Sequence, residues 1–363
     1  MSKTILVCPL NWGLGHASRC IPVIREFLAR GCRVVIAASG APLAMLRDEF
    51  GDDAEYMIFP GKEIKYSRGR FMILKLTGQL PGFLFSMYRE HSWIKKTVKT
   101  LKPDVVISDN RYGARSRSVY SVFITHQLFV RMPPKLRIFQ GLSEIINRIF
   151  IHAFHECWVP DFTDAPGLSG ELSHKKSINN VFFTGPLSRF RNPEEYNRDK
   201  LAFQLPNDFL LVLLSGPEPQ RTILEEKLSK ELKHESVIWF RGLPGNNELK
   251  KTGNHYLFDH GNLQLMGYCI KKARLVICRS GYSTIMDLAV FGKKAILIPT
   301  PGQTEQEYLA EMLHKQSIVV SVKQKNLFEL RKKISIAEKL KGLPQMDNSA
   351  LLADCVKRVL KKV

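Results

Sequence analysis

The stretch CRSGYSTIMDLAVFGKKAILIP, residues 278–299, decides the fold class of this chain. It closes one short apolar run, turns at Ser280 and Gly281, continues as a helix-like segment and returns to a second apolar run at 295–299. Apolar strands that alternate with helices are typical of a parallel sheet covered on both faces. The stretch therefore predicts an α/β fold.

The same alternation covers most of the chain and restarts near its middle. Residues 184–208 are polar and contain three prolines, which is typical of a connection between domains. We predict two Rossmann-like domains that face a central cleft, where ligands bind beyond the carboxyl ends of the strands. The predicted boundaries are an N-terminal domain at 1–186, a linker at 187–206, a C-terminal domain at 207–346 and a basic helix at 347–363.

Composition narrows the partners and the cellular setting. The chain has 363 residues, with 54 lysines and arginines against 34 aspartates and glutamates, and its net charge of +20 favours anionic partners. No window of about 18 apolar residues occurs, so we expect no transmembrane helix, and the apolar start resembles a first strand rather than a signal peptide. Seven scattered cysteines without a Cys-x-x-Cys pair indicate a reducing cytoplasm.

A glycine-containing turn, NWGLGHASR at residues 11–19, follows the first apolar run. Gly13 and Gly15 allow a tight turn, and the helix start behind them favours an anion. His16 would face the cleft, where an imidazole accepts a proton near neutral pH. The alternative is a histidine that only caps the helix. The dinucleotide-binding fingerprint is not met, because Ser18 stands where glycine or alanine is required.

A second turn of this kind, SGPEPQRT at residues 215–222, begins the second half of the chain. Ser215, Gly216 and the following amides suit a phosphate, with Arg221 as the counter-charge. Pro217 and Pro219 remove two amide donors, so an ordinary strand-to-helix turn is an equal alternative.

The third turn, at 280–281, places helix-start amides where they suit a diphosphate. Asp287 lies in the helix behind it and would accept hydrogen bonds from ribose hydroxyls. Gln306 and Glu307 begin the next helix and suit the hydroxyls of a sugar. Acidic side chains at a helix start also favour the helix dipole, and for Glu305 we prefer that explanation.

Together these turns resemble the nucleotide-sugar glycosyltransferases of the two-Rossmann-domain (GT-B) type. The nearest group is glycosyltransferase family 28, whose N-acetylglucosaminyltransferases build the lipid-linked peptidoglycan precursor. The most specific part is residues 279–281, followed by an acidic residue six positions later and by the helix start QEY at 306–308. The loop at 13–16, THQ at 125–127 and TGP at 184–186 add to the resemblance.

The resemblance implies a role for each motif. His16 would be the catalytic base or a histidine of the acceptor site, and the acceptor side would be formed by Gly13, Gly15, Thr125 and His126. The donor diphosphate would contact Ser215, Gly216, Arg221, Arg279, Ser280 and Gly281. Asp287 would hold the ribose where the family more often has glutamate. The donor sugar would contact Gln306 and Glu307 where the family has two glutamines, which leaves its identity open. The base pocket would involve residues 242–243 and 261–266.

The implied reaction is inverting, metal-independent transfer of a hexose or N-acetylhexosamine from a UDP-sugar. The acceptor would be a hydroxyl of a lipid-linked or cell-envelope glycan. No metal or other cofactor is expected, since no Asp-x-Asp pair occurs in the sequence. The same fold hosts UDP-sugar epimerases and hydrolases, so these stay open as the alternative.

Residues 62–102 hold ten basic residues against Glu63 and Glu90, interleaved with apolar side chains. This pattern predicts contact with an anionic membrane, and an ordinary amphipathic helix is an equal alternative. We therefore expect a cytoplasmic enzyme, peripheral on the inner face of the plasma membrane. Nucleic-acid binding is not expected, because no nucleic-acid-binding motif accompanies the charge.

Overall fold

The computed structural model describes residues 2–60, 80–201, 204–243, 248–345 and 349–363. The chain forms two compact units, one of Met1–Arg189 with Asp347–Val363 and one of Phe190–Met346. Each unit contains a sheet that is parallel apart from one edge pair in the second unit, with helices between the strands. The predicted α/β class with two Rossmann-like sheets is confirmed.

The sheet of the first unit has the order β3-β2-β1-β4-β5-β6-β7, and all of its strand pairs are parallel. Apolar side chains fill β1 and β4, which are buried over nearly their whole length because both faces of the sheet are covered. The strands are β1 (Thr4–Pro9), β2 (Arg33–Ala38), β3 (Glu55–Ile58), β4 (Val105–Asp109), β5 (Tyr120–Ile124), β6 (Glu156–Val159) and β7 (Val181–Phe183). The helices between them are α1 (Leu14–Leu28), α2 (Gly40–Phe50), α3 (Leu80–Leu101), α4 (Gln140–His152) and α5 (Glu171–His174).

The sheet of the second unit has the order β10-β11-β9-β8-β12-β13-β14, with only the edge pair β10–β11 antiparallel. Its strands are β8 (Leu210–Leu213), β9 (Val237–Phe240), β10 (Lys250–Thr252), β11 (His255–Phe258), β12 (Leu275–Cys278), β13 (Ala295–Leu297) and β14 (Val320–Ser321). The helices are α6 (Gln220–Glu231), α7 (Leu263–Lys272), α8 (Tyr282–Val290), α9 (Thr304–Lys315) and α10 (Leu330–Ala337). Fully buried aliphatic residues such as Leu224 and Ile277 join α6 to the sheet.

Each sheet reverses its strand order at one place. In the first unit the reversal lies between β1 and β4, and in the second it lies between β8 and β12. Helices leave the sheet toward opposite faces at such a point, which opens a crevice outside the carboxyl ends of the two strands. The topology therefore marks the ends of β1 and β4, and those of β8 and β12, as the places where a ligand binds.

The interval expected to be a linker packs as part of the second unit from Phe190 onward. Phe190 and Tyr196 are buried, and their rings lie 5.3 Å and 5.8 Å from the ring of Phe291. Tyr196 also lies against Gly267, where a β-carbon would be 2.4 Å from its ring. Burial of these aromatic rings removes a large apolar area from water, which fixes the interval to the second unit. The proline content of the interval gives no sign of this packing.

The basic C-terminal helix α11 (Ser349–Leu360) belongs to the first unit rather than forming a separate element. Arg358 donates two hydrogen bonds of 2.9 Å to the buried carboxylate of Glu156, and its guanidinium lies 3.5 Å from the ring centre of Phe182. A bidentate pair of this kind fixes both position and orientation.

Two further expectations concern a transmembrane helix and the basic stretch. No helix in the described ranges is long and apolar enough to cross a membrane. Of the basic stretch at 62–102, residues 62–79 lie outside the described residues, and residues 80–101 form α3.

All seven cysteines are buried and form no disulfide bond.

Candidate active site

His16 stands in the first turn of α1, directly beyond the end of β1. Gly13 makes the turn possible, because it has a φ of +77° just before the helix. A β-carbon on Gly13 would meet no atom within 4 Å, so the backbone conformation rather than space selects glycine there. The side chain of His16 is 17% exposed, so it is partly accessible to solvent.

Asp109, the last residue of β4, is the partner of this histidine. Its Oδ2 lies 2.8 Å from His16 Nδ1, and its Oδ1 accepts a hydrogen bond of 2.6 Å from Arg19 Nε. Arg19 lies one turn after His16 on α1, and both Asp109 and Arg19 are buried. A buried carboxylate is stable only when it is paired, and here two groups from α1 pair with it.

The charges around His16 favour its neutral form. Burial and the nearby Arg19 cation lower the pKa of His16, although Asp109 acts in the opposite direction. Burial raises the pKa of Asp109, but Arg19 and His16 outweigh it, so the net shift is downward and the carboxylate stays ionised. Arg19 Nη2, which can only donate, also lies 2.9 Å from Nδ1. Because the contact of 2.8 Å with an ionised carboxylate requires a donor on the histidine, we assign the proton to Nδ1. Nε2 then holds the lone pair, as in other carboxylate-oriented histidine bases.

Two acceptor-side residues were expected directly after β5, and one of them lies in the cluster around His16. His126 joins the cluster, since its Nδ1 lies 3.4 Å from Arg19 Nη1. Thr125 is buried and accepts a hydrogen bond of 3.1 Å from the amide of Gln127, so it shapes its own turn. The ends of β1, β4 and β5 therefore bring His16, Asp109 and His126 together around Arg19.

In the second unit, Ser215 and Gly216 follow β8 and are exposed. Gly216 has a φ of +101°, and a β-carbon on it would lie 4.0 Å from the hydroxyl of Thr300. That hydroxyl is buried and has no hydrogen-bond partner within the described part of the chain. A buried hydroxyl without a partner is costly unless a ligand satisfies it. Thr300 is therefore an additional candidate ligand residue.

Ser280 and Gly281 follow β12, the strand paired with β8, and so lie at the same sheet edge as Ser215. Gly281 precedes α8 and offers no capping side chain, while amides in the first turn of a helix have no acceptor within the helix. Ser280 is fully buried, and its hydroxyl donates to the carbonyl of Gln306 at 2.8 Å. Ser280 thus ties the turn after β12 to α9.

The two residues assigned to the donor sugar hold the turn before α9. The side-chain oxygen of Gln306 accepts from the amide of Thr300 at 2.9 Å, and a carboxylate oxygen of Glu307 accepts from the amide of Gly302 at 3.0 Å. Asp287 is largely buried on α8. The bonds of Gln306 and Glu307 use only part of the hydrogen-bonding capacity of an amide and a carboxylate.

The two arginines assigned to the donor diphosphate are placed differently from the expectation. Arg279 is fully buried, where burial lowers its pKa to about 10, and it donates to the carbonyls of Ile298, Pro299 and Gln220. Arg221 is buried between Glu218 and Glu225. Both guanidinium groups therefore hold loops of the second unit together. A sequence pattern that places arginine after a strand does not disclose whether the side chain points inward.

The glycines predicted near the base pocket are required by close packing. A β-carbon on Gly242 would lie 2.5 Å from the carbonyl oxygen of Leu214, and one on Gly261 would lie 2.2 Å from the ring of Phe240. Among the described ranges, no group of three or more His, Cys, Asp or Glu side chains is arranged to hold a metal ion.

Comparison with known proteins shows which family the second half of the chain resembles. Residues 220–359 match the glycosyltransferase family 28 C-terminal domain. An uncharacterized glycosyltransferase of Methanosarcina acetivorans is 29% identical over 339 residues, which cover 86% of this chain and 81% of that protein. The UDP-N-acetylglucosamine--N-acetylmuramyl-(pentapeptide) pyrophosphoryl-undecaprenol N-acetylglucosamine transferase of Acetivibrio thermocellus is 26% identical over 288 residues, which cover 73% and 72%.

The fold is also that of solved glycosyltransferases. The glycotransferase of kitacinnamycin superposes with a TM-score of 0.64 at 16% identity, covering 99% of this chain and all of the other. The predicted family resemblance and enzyme class are confirmed: the chain is a glycosyltransferase of the GT-B fold, similar to family 28.

Proposed function

We propose that the chain transfers a hexose or N-acetylhexosamine from a UDP-sugar to a hydroxyl of a lipid-linked acceptor, with inversion at the anomeric carbon. The observation that carries this proposal is the contact of 2.8 Å between His16 Nδ1 and the carboxylate of Asp109 at the end of β4. The pKa of each group is lowered, which favours a neutral imidazole beside an ionised carboxylate. Such an imidazole accepts a proton at Nε2 from an acceptor hydroxyl as the hydroxyl attacks the sugar.

Asp109 contributes by orienting the ring and by stabilising the imidazolium that forms. Because Arg19 holds the other carboxylate oxygen at 2.6 Å, the carboxylate cannot rotate away from His16 without losing a charge-assisted hydrogen bond. Direct displacement by the activated hydroxyl inverts the anomeric centre through an oxocarbenium-like transition state. A base of this kind accelerates transfer by about 100-fold to 10,000-fold.

The donor side of the proposal rests on the second unit. Gly216 and Gly281 follow the two strands at the reversal of the sheet. The hydroxyl of Thr300, from the turn after β13, lies beside Gly216 and has no partner among the described residues. Amides and hydroxyls in such places stabilise a leaving diphosphate. Asp287 is assigned to the ribose. UDP as the nucleotide, and a lipid-linked or cell-envelope glycan as the acceptor, are supported by the name of the Acetivibrio thermocellus relative.

Transfer is proposed to need no metal ion, because helix-start amides at Gly281 supply positive potential where the leaving diphosphate gains charge. Undiminished turnover in the presence of a chelator is the expected result. Loss of turnover that added Mg²⁺ restores would contradict this part of the proposal.

Contact with an anionic membrane is proposed through α4 rather than through the basic stretch alone. Leu142, Ile145, Ile146 and Ile149 recur at helical spacing and are all about half exposed or more, whereas the polar Asn147 is buried. Asn147 donates to the carbonyls of Gln127 and Leu128, so the apolar face of α4 is directed away from the unit. Such an apolar face suits the boundary between lipid head groups and acyl chains. Basic side chains of a protein attract it to a membrane that contains anionic lipid.

The proposal is tested by incubating the protein with a panel of UDP-sugars, each with and without a polyprenyl-linked saccharide acceptor. The expected result is UDP release that requires the acceptor, together with a product enlarged by one sugar. Donor consumption without acceptor would instead indicate a hydrolase, and conversion to another UDP-sugar would indicate an epimerase. Either outcome would contradict the proposed transfer.

A further inference from the structure

A cavity of about 730 Å³ lies in the first unit between the second half of α3 and the loop at 115–118. The loop leads into the start of β5 at Tyr120, and α3 descends toward the start of β4. His16 and Asp109 stand beyond the opposite, carboxyl ends of parallel strands. The cavity therefore extends toward the other edge of the sheet and is separate from the proposed reaction site.

The lining of this cavity is strongly basic. It contains five cationic side chains and no carboxylate, the cations being Lys95, Lys96, Lys99, Arg115 and Arg117. None of the five forms an ion pair with another of the described residues. Burial and the neighbouring charge of Arg117 lower the pKa of Arg115. Arg115 is half-buried and the other four cations are exposed. Like charges that line one cavity without counter-charges repel one another, and an anion relieves part of that repulsion.

Neutral donors complete the lining. Ser92, Ser116 and Ser118 face the cavity, and the last two hydroxyls lie 3.0 Å apart. The Nδ1 atom of His91 is buried and has no hydrogen-bond partner among the described residues. Burial and the charges of Lys95 and Arg115 lower the pKa of His91, whereas hydrogen bonds with the backbone of Arg115 and Gly113 raise it. An anion in the cavity would offset the effect of the two cations.

We propose that this cavity binds a ligand carrying two or more linked or neighbouring phosphate groups. Five cations exceed what one phosphate neutralises, and hydroxyls beside ammonium and guanidinium groups are the donors that phosphate oxygens accept. Free pyrophosphate and a phosphorylated lipid head group share this chemistry. The inference is independent of the proposed transfer, since it uses none of the residues assigned to the donor or to the base.

The cations of α3 share a face of the helix with exposed apolar residues, which suits a phosphorylated lipid head group as the ligand. Phe85 and Tyr88 are exposed on the first half of the helix. Ser92, Lys95 and Lys99 follow at helical spacing on the second half, so the apolar and basic residues share one face.

The test is isothermal titration of the full chain with inorganic pyrophosphate at low ionic strength, with and without UDP so that binding at the second unit is separated. The pocket variant is Lys95→Gln with Lys99→Gln, and the charge-matched control is Lys227→Gln with Lys230→Gln, exposed lysines of α6. The expected result is a UDP-insensitive site that the pocket variant weakens about tenfold or more and the control retains. Equal affinity in the two variants, or no UDP-insensitive site in the wild-type protein, would overturn the proposal.

The source of the phosphate is assigned by flotation with vesicles of phosphatidylcholine and phosphatidic acid in equal parts. If the pocket variant loses both pyrophosphate and vesicle binding relative to the control, the ligand is a lipid head group. If it loses pyrophosphate alone, the site takes free phosphate compounds.

Discussion

The two units place different chemistry at the same topological position. Where the first sheet reverses, the strand ends carry an imidazole, a carboxylate and a guanidinium within 3 Å of one another. Where the second sheet reverses, the strand ends carry glycines and the buried Ser280. Beside Gly216 lies the hydroxyl of Thr300, which has no partner among the described residues. Titratable groups with shifted pKa values suit proton transfer, whereas amides and hydroxyls suit an anion that must be held without exchanging protons.

Because their chemistry differs, substitutions at the two sites should change different kinetic constants. Substitutions at the first site should lower kcat with little effect on donor binding. Substitutions at the second site should weaken donor binding, because they remove contacts made before and during transfer.

The largest effect is expected for His16→Ala. Removing the base should lower kcat by about 1,000-fold, because the acceptor hydroxyl then attacks without losing its proton. Steady-state turnover with saturating donor and acceptor measures the effect, and His234→Ala, an exposed histidine of the second unit, is the matched control. Turnover of His16→Ala close to that of the control would show that His16 has only a structural role.

Asp109→Asn should lower kcat by about 100-fold, because an amide no longer selects the Nδ1–H tautomer or stabilises the imidazolium. The pH profile provides a second readout. The base acts when neutral and its pKa is lowered from 6.5, so wild-type activity should fall only below that pH. Since Asp109 raises the pKa of His16, its removal should shift this acidic limb to lower pH. A shift to higher pH would contradict the assignment.

Asp287→Asn should raise the KM for the UDP-sugar about tenfold, because an amide accepts hydrogen bonds from ribose hydroxyls less strongly than a carboxylate does. At saturating donor, kcat should change little. The control is Asp354→Asn, an exposed aspartate of α11. A lower kcat with an unchanged KM would place Asp287 outside the donor site.

The smallest effect is expected at the membrane surface. Ile145→Ser with Ile149→Ser should reduce flotation with anionic vesicles by a few-fold, since each removes part of an apolar face that enters the interface. Phe328→Ser with Ile336→Ser changes two exposed apolar residues of the second unit and is the matched control. Equal flotation of both variants would exclude α4 as the contact.

Local sequence is enough to predict the strands, the turns and the residues that stand in those turns. The glycine turns after apolar runs locate His16, Ser215 and Ser280, because a parallel strand followed by a tight turn must place the next residues at the carboxyl edge of a sheet. The resemblance to family 28 adds the enzyme class, which the comparisons confirm.

The partners of these residues are set by the tertiary fold and were not predicted. Asp109 lies 93 positions after His16 in the chain and meets it only because β1 pairs with β4. An available signal was the acidic residue that ends the apolar run VVISD at 105–109. The inward direction of Arg279 depends on carbonyls supplied by other segments. The carboxylates that hold Arg221, those of Glu218 and Glu225, lie in its own segment.

The central claim is that the first unit supplies the base and the second unit binds the donor. It is tested most directly by isothermal titration of UDP into Asp109→Asn and Asp287→Asn side by side. We predict that Asp109→Asn binds UDP with the wild-type Kd, whereas Asp287→Asn binds it about tenfold more weakly. A loss of UDP affinity in Asp109→Asn as large as that in Asp287→Asn would contradict the division of roles.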